Sequence, residues 1–334
     1  MFANILRSRA RSADLKEQAI WALGNVSGDS AEARDSVLIS DALNPLIALV
    51  DFGVNSSMSR AAVRTLSILC CVKPPPPFEQ VQPVLNIFCR LTYLDDEEIL
   101  TAVCKALACI SAFTMDRIMD SVLIFMNVLP RLLQLLEYPS NKVCIPALRT
   151  LGNLVTGDNT QTQRVLDEGF LSYLHNFLEH SNRIIRKETC WIISNITAGN
   201  RHQIQAVIDC KIIDRLVDIA ETLDDLEIKK EAVWAMSNAV LGGSRKQIQS
   251  RELDKCIAPF CVFLDNPDPK TVMMCLKALE KFLKVGEGHG YNSYVEKIED
   301  LDGWRNMMNM RTHDNTEINT KTVNILRTYW DLNM

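Results

Sequence analysis

A tryptophan followed four residues later by an asparagine occurs at Trp21 and Asn25, at Trp191 and Asn195, and at Trp234 and Asn238 of this 334-residue chain. Residues four apart share one face of an α-helix, so each pair presents an indole and a carboxamide in the same direction. The pairs also follow a period. Trp191 and Trp234 stand 43 residues apart, and similar steps back from Trp191 land on Arg149, Lys105, Arg64 and finally Trp21. A chain with such a period folds by stacking like units, because no single unit can bury its apolar face alone.

A repeat in the low forties is typical of armadillo and HEAT arrays, and the expected fold is an all-α, right-handed armadillo-repeat solenoid of about eight three-helix repeats. The first placeable helix runs from about Leu15 to Val26 and stops at Ser27-Gly28-Asp29, with Gly28 as its ending residue. The same punctuation returns as Thr156-Gly157-Asp158, Ala198-Gly199-Asn200 and Gly242-Gly243-Ser244. Leu43 to Val50 and Val128 to Leu136 read as middle helices, with Pro45 and Pro130 tolerated near the start. Pro74 to Pro77 form a rigid connector. Gly286, Gly288 and Gly290 follow a helical pattern rather than a strand, which makes them an exposed linker and not a phosphate loop. The expected division is an N-terminal lead-in or capping segment over 1–13, carrying Arg7, Arg9 and Arg11, then tandem armadillo repeats over 14–284, a Gly-rich linker over 285–292, and a C-terminal armadillo-like capping repeat over 293–334.

Hydrophobic residues make up 47% of the chain and charged residues 23%, as in a folded protein. No apolar run reaches the roughly eighteen residues of a membrane span and no signal peptide is evident, so no membrane insertion and a place in cytoplasm and nucleus are expected. A net charge of −5 argues against a nucleic-acid binder and for a basic partner. The eleven cysteines lie in apolar segments without C-x-x-C spacing, as small core residues of a reduced protein. His175, His180, His202, His289 and His313 form no metal or triad motif, so neither an enzyme nor a cofactor or metal site is expected.

The strings Glu17 to Asp29 (EQAIWALGNVSGD), Leu148 to Gly157 (LRTLGNLVTG), Lys187 to Thr197 (KETCWIISNIT) and Lys230 to Asn238 (KEAVWAMSN) closely resemble armadillo repeats of the importin-α (karyopherin-α) family. The resemblance spans about Asp14 to Tyr329 and includes arginine in place of tryptophan at Arg149. It implies a nuclear import adaptor that holds basic nuclear localisation signals, extended, along a concave groove. The residues supply a compatible mechanism. Neighbouring indoles form slots for lysine or arginine stems and attract their cationic heads, at about 0.5–2 kcal/mol per contact. Asparagine amides can bridge a peptide N–H and C=O without reading the side chain.

By this resemblance the chain starts at the third armadillo repeat, and coupling to importin-β through the family's basic N-terminal segment is not expected. Of the major signal site only Trp21, Asn25 and Asp29 remain; the next repeats place Arg64 and Ile68, then Lys105 and Cys109, where tryptophan and asparagine would stand. The minor-type site has its full set in Asn153, Val155, Thr156, Trp191, Asn195, Glu231, Trp234 and Asn238, with Arg149 as a spacer. The C-terminal half is therefore expected to be the working groove. The resemblance also implies contacts of the last repeats with an export receptor and nucleoporins. The other reading open at this level is an armadillo scaffold whose altered groove near Arg64 and Lys105 takes acidic partners.

Overall fold

The structure, a computed structural model, describes residues 1–8, 10–50, 56–113, 128–287 and 290–331. Arg9, Gly288 and His289 of the sequence reading lie outside the described residues. Among those described, every regular element is helical, and the helices form armadillo repeats that each close on a long helix, as Ala31–Ile39 and Leu43–Ala48 lead to Ser57–Cys71. The chain divides into two compact units, Met1–Glu168 and Gly169–Met334.

In the first unit the closing helices of successive repeats are Ala13–Asp29, Ser57–Cys71, Glu97–Ser111 and Asn141–Leu154, each packed on the next. In the second they are Arg183–Thr197, Leu226–Gly242, Pro269–Gly286 and Thr316–Trp330, packed in the same serial manner. Their buried faces carry aliphatic residues at helical spacing, as in Val63, Leu66 and Leu69, or Ile192, Ile193 and Ile196, all without exposed surface.

Polar side chains mark where these helices begin. Ser12, Ser56, Asp96, Asn182, Asp225, Asp268 and Asn315 each accept a hydrogen bond from a backbone N–H of the first turn. Some caps also tie repeats together. Arg183 reaches from the preceding closing helix to Asp225, with Nε 2.6 Å from Oδ2 and Nη2 3.1 Å from Oδ1. That guanidinium holds the Asp225 carboxyl below the usual aspartate value.

The helices stop at the glycine punctuation read in the sequence, and two of its glycines also serve the helices that follow. Gly28 lies inside a helix that continues to Asp29, and the chain turns at Ser30, which caps the following helix. Gly157 and Gly199 instead precede capping boxes, in which Asp158 pairs with Gln161 and Asn200 with Gln203. A Cβ on Gly157 would fall 2.0 Å from Gln161 Oε1, and one on Gly199 would fall 2.1 Å from Gln203 Oε1. These glycines leave room for the returning glutamine. The linker expected from 285 begins later, since the preceding helix runs through Gly286 and Asn292 already caps the next.

The proline stretch is held by a buried charge. Arg34, 2% exposed, donates from Nη1 to the carbonyls of Val72 and Pro74 at 2.6 and 2.5 Å, at the exit of helix Ser57–Cys71. Arg245 meets the carbonyls of Val285 and Glu287 in the same way at the end of helix Pro269–Gly286. A guanidinium thus completes two helix C-termini, where terminal carbonyls lack partners within the helix.

Candidate functional site

Within the second unit, helices Arg183–Thr197 and Leu226–Gly242 lie side by side and bring two Trp-Asn pairs together. All four side chains are half-buried. The Trp234 ring is fixed at its edge by donation from Nε1 to Thr271 Oγ1 at 3.2 Å, and the Thr271 hydroxyl in turn donates to Asp268 Oδ2 at 2.7 Å. Met273, Lys277 and Ile318 of the next helices line a shallow pocket with that indole. The orienting role of Thr271 and Asp268 was missed at sequence level. Its signal, an aspartate cap three residues before a threonine, is shared by many helix starts.

Asparagine behaves less uniformly than its repetition suggests. Asn238 Nδ2 donates to the Ser194 carbonyl at 2.9 Å, which links the two helices and leaves Oδ1 as the group able to meet a ligand N–H. Asn195 Nδ2 is buried without a hydrogen-bond partner among the described residues, an unmet donor that an approaching carbonyl would satisfy.

Glu231 supplies the local charge. It is half-buried, one turn before Trp234, and burial pushes its carboxyl above the usual glutamate value. Lys187 and Lys230 pull it down and Glu227 pushes it up, but both lysines make their ion pairs with Glu227, at 3.1 and 2.6 Å. A desolvated carboxylate between two indole-bearing helices gains from an incoming cation.

In the first unit, several expected site residues have structural roles. Asn153 is only 8% exposed and donates from Nδ2 to the Ala108 carbonyl at 3.0 Å and to Ser111 Oγ at 2.9 Å. These donors staple one repeat to the preceding one. Val155 is 2% exposed and packs in the core, and Thr156 folds its hydroxyl onto the Asn153 carbonyl at 2.7 Å. Arg149 is exposed on the same helix.

Trp21 is 43% exposed, with Asn25 and Asp29 exposed farther along its helix. Its aromatic face is already used by the chain itself. The Arg64 guanidinium carbon lies 5.2 Å from the ring centroid, a cation–π contact, and Arg64, Thr65 and Ile68 close a small cleft around the indole. Lys105, exposed, and Cys109, half-buried, occupy the matching places one repeat later.

The armadillo/beta-catenin-like repeat family matches residues 122–156 and 200–240. Among curated proteins, importin subunit alpha-1b of Oryza sativa subsp. japonica is 49% identical over 337 residues, covering 99% of this chain and 62% of that protein. Importin subunit alpha-8 of Arabidopsis thaliana is 40% identical over 323 residues, covering 95% of this chain and 72% of that protein. The chain thus spans less than two thirds of the rice relative. Among solved structures, an engineered protein superposes with a TM-score of 0.83 at 20% identity, over 98% of this chain and 77% of its own, a likeness of fold alone. A designed armadillo repeat protein in complex with peptide (KR)4 superposes with a TM-score of 0.64 at 26% identity, over 73% of this chain and 99% of its own.

Proposed function

This chain belongs to the importin-α family, and from that premise we propose that it is a nuclear import adaptor that binds basic nuclear localisation signals in the groove of its second unit. Working in cytoplasm and nucleus, it is an adaptor and not an enzyme. The observation that carries the reading is Glu231, a desolvated carboxylate whose neighbouring lysines pair with Glu227 instead, set between the helices of Trp191 and Trp234. A lysine or arginine of the ligand lays its stem between the indoles, and its charge relieves that carboxylate. Asn238 Oδ1 accepts a peptide N–H, and Asn195 Nδ2 donates to a peptide carbonyl. Likeness to a designed armadillo protein in complex with a (KR)4 peptide supports the same ligand chemistry. Trp21, Asn25 and Asp29 make a weaker site, because Arg64 stands on the indole. Export-receptor and nucleoporin contacts belong to the last repeats in this reading.

Fluorescence anisotropy with labelled basic peptides tests the proposal, on the wild-type chain and on Trp191→Ala/Trp234→Ala. Each central indole slot is expected to be worth on the order of 2 kcal/mol, about thirtyfold in affinity. Basic peptides that bind and lose most of their affinity in the double variant support the reading; binding that ignores both indoles sinks it.

A second reading rests on the first unit, where Arg64, Lys105 and Arg149 stand exposed on three successive closing helices. That basic row favours an acidic partner. An acidic control peptide in the same titration separates the readings: binding of that control in place of the basic peptides makes the chain a scaffold with a different ligand.

A further inference from the structure

Eight of the eleven cysteines are buried, which leaves Cys71, Cys109 and Cys210 open to reagents. Cys71 ends helix Ser57–Cys71 and Cys109 lies near the end of the neighbouring helix Glu97–Ser111. Their thiols interact directly, and Cys71 Sγ also lies 3.7 Å from the Lys105 carbonyl, one turn before Cys109 on its helix. Three cations converge on Cys109: Lys73, Lys105 and Arg149. The Lys73 ammonium is positioned over the Phe113 ring, 5.8 Å from its centroid.

The thiol hydrogen bond from Cys71 and these charges hold Cys109 below the ordinary cysteine value, while the same hydrogen bond and burial push Cys71 up. The pair is thus divided into a nucleophile and a proton-bearing neighbour. Cys210 is the contrast. It is the most exposed cysteine, yet burial and Asp209 raise its thiol.

We propose that Cys71 and Cys109 are an oxidative modification site that closes into a disulfide with hydrogen peroxide as oxidant. The Cys109 thiolate attacks a peroxide oxygen; an S–O bond forms, the O–O bond breaks, and the departing hydroxide takes a solvent proton to become water. Cys71 then gives its proton to solvent and attacks the Cys109 sulfur. The S–S bond forms as the S–O bond breaks, and a second hydroxide leaves as water. Two thiols lose two electrons in all, and the peroxide gains two. The product ties the two closing helices together beside Lys105, where the repeat period would otherwise place a groove tryptophan.

The test treats the full chain with hydrogen peroxide, blocks remaining thiols by alkylation and maps peptides by mass spectrometry without reduction. A Cys71–Cys109 linked peptide, lost on adding dithiothreitol, is the expected product. A brief iodoacetamide pulse on the untreated protein is expected to label Cys109 about tenfold faster than Cys210, although exposure alone favours Cys210. In Cys71→Ser the reaction stops at a sulfenic acid on Cys109, trapped by dimedone; in Cys109→Ser neither product forms. Linkage between other cysteines in its place, or Cys210 reacting first, overturns the proposal. The pulse on the wild-type protein decides the matter even where a variant folds poorly.

Discussion

Asn25, Asn153, Asn195 and Asn238 share a place in the repeat, and their surroundings divide them. Asn25 is exposed and Asn153 is buried with both donors engaged. Asn153→Ala therefore removes both hydrogen bonds to the preceding repeat and is expected to cost about 1–3 kcal/mol of stability. Asn25→Ala is expected to stay within about 0.5 kcal/mol. Urea unfolding of both variants checks the pair, and equal losses would refute the division. Glu231 gives a pH-dependent prediction. Its pKa is raised by burial, so in the free protein ionisation opposes folding: stability falls as pH rises from the ordinary glutamate value of 4.5 through the raised one. A bound cation favours the ionised form and lowers that pKa. Affinity for a lysine-rich peptide is therefore expected to rise with pH across the same interval, with proton release on binding, and Glu231→Gln flattens the rise. Anisotropy titrations between about pH 4.5 and pH 7 read this directly.

Individual helices in this protein are secured at both ends by polar side chains. The glycine before two of the capping boxes leaves room for the returning glutamine, so Gly199→Ala displaces Gln203 and is expected to cost about 1 kcal/mol, the worth of a cap. Once Gln203 is already alanine, the same glycine substitution should cost little. A double-mutant cycle by thermal unfolding measures the coupling; full additivity would mean the glycine serves another purpose. The sequence reading placed the helix stops at these glycines and missed the boxes that follow them. Its missed signal was a glutamine four residues after Gly157, Gly199 and Gly243, which together with an intervening Asp, Asn or Ser spells a box.

Within each compact unit the stacking is serial. Closing helices pack on their neighbours in sequence, so damage is expected to stay local. Phe88 has no exposed surface, and Phe88→Ala should cost about 3–5 kcal/mol. Hydrogen exchange should then rise chiefly in helices Phe78–Leu91 and Glu97–Ser111, while Leu226–Gly242 keeps its protection; uniform loss would show one cooperative body instead. Net charge acts at the same scale. At −5 the chain attracts basic peptides over distance, and their association rate should fall as salt shortens the screening length.

The helical class, the repeat and the family are legible in the amino-acid order, because each is a one-dimensional signal: spacing four within a helix, about 43 between repeats, and the strings around Trp21, Leu148, Trp191 and Trp234. It also marked Arg64 as a cation on the groove face. What each residue of that face touches came from the tertiary structure. Arg64 stacks on Trp21, Asn153 bonds back to the preceding repeat, Val155 turns into the core and Glu231 keeps a partly desolvated carboxylate without an ion pair among the described residues. The physical reason is distance along the chain. Trp21 and Arg64, or Asn153 and Ala108, are more than forty residues apart, and their contact depends on how one helix seats against the next, which the period implies but does not specify side chain by side chain.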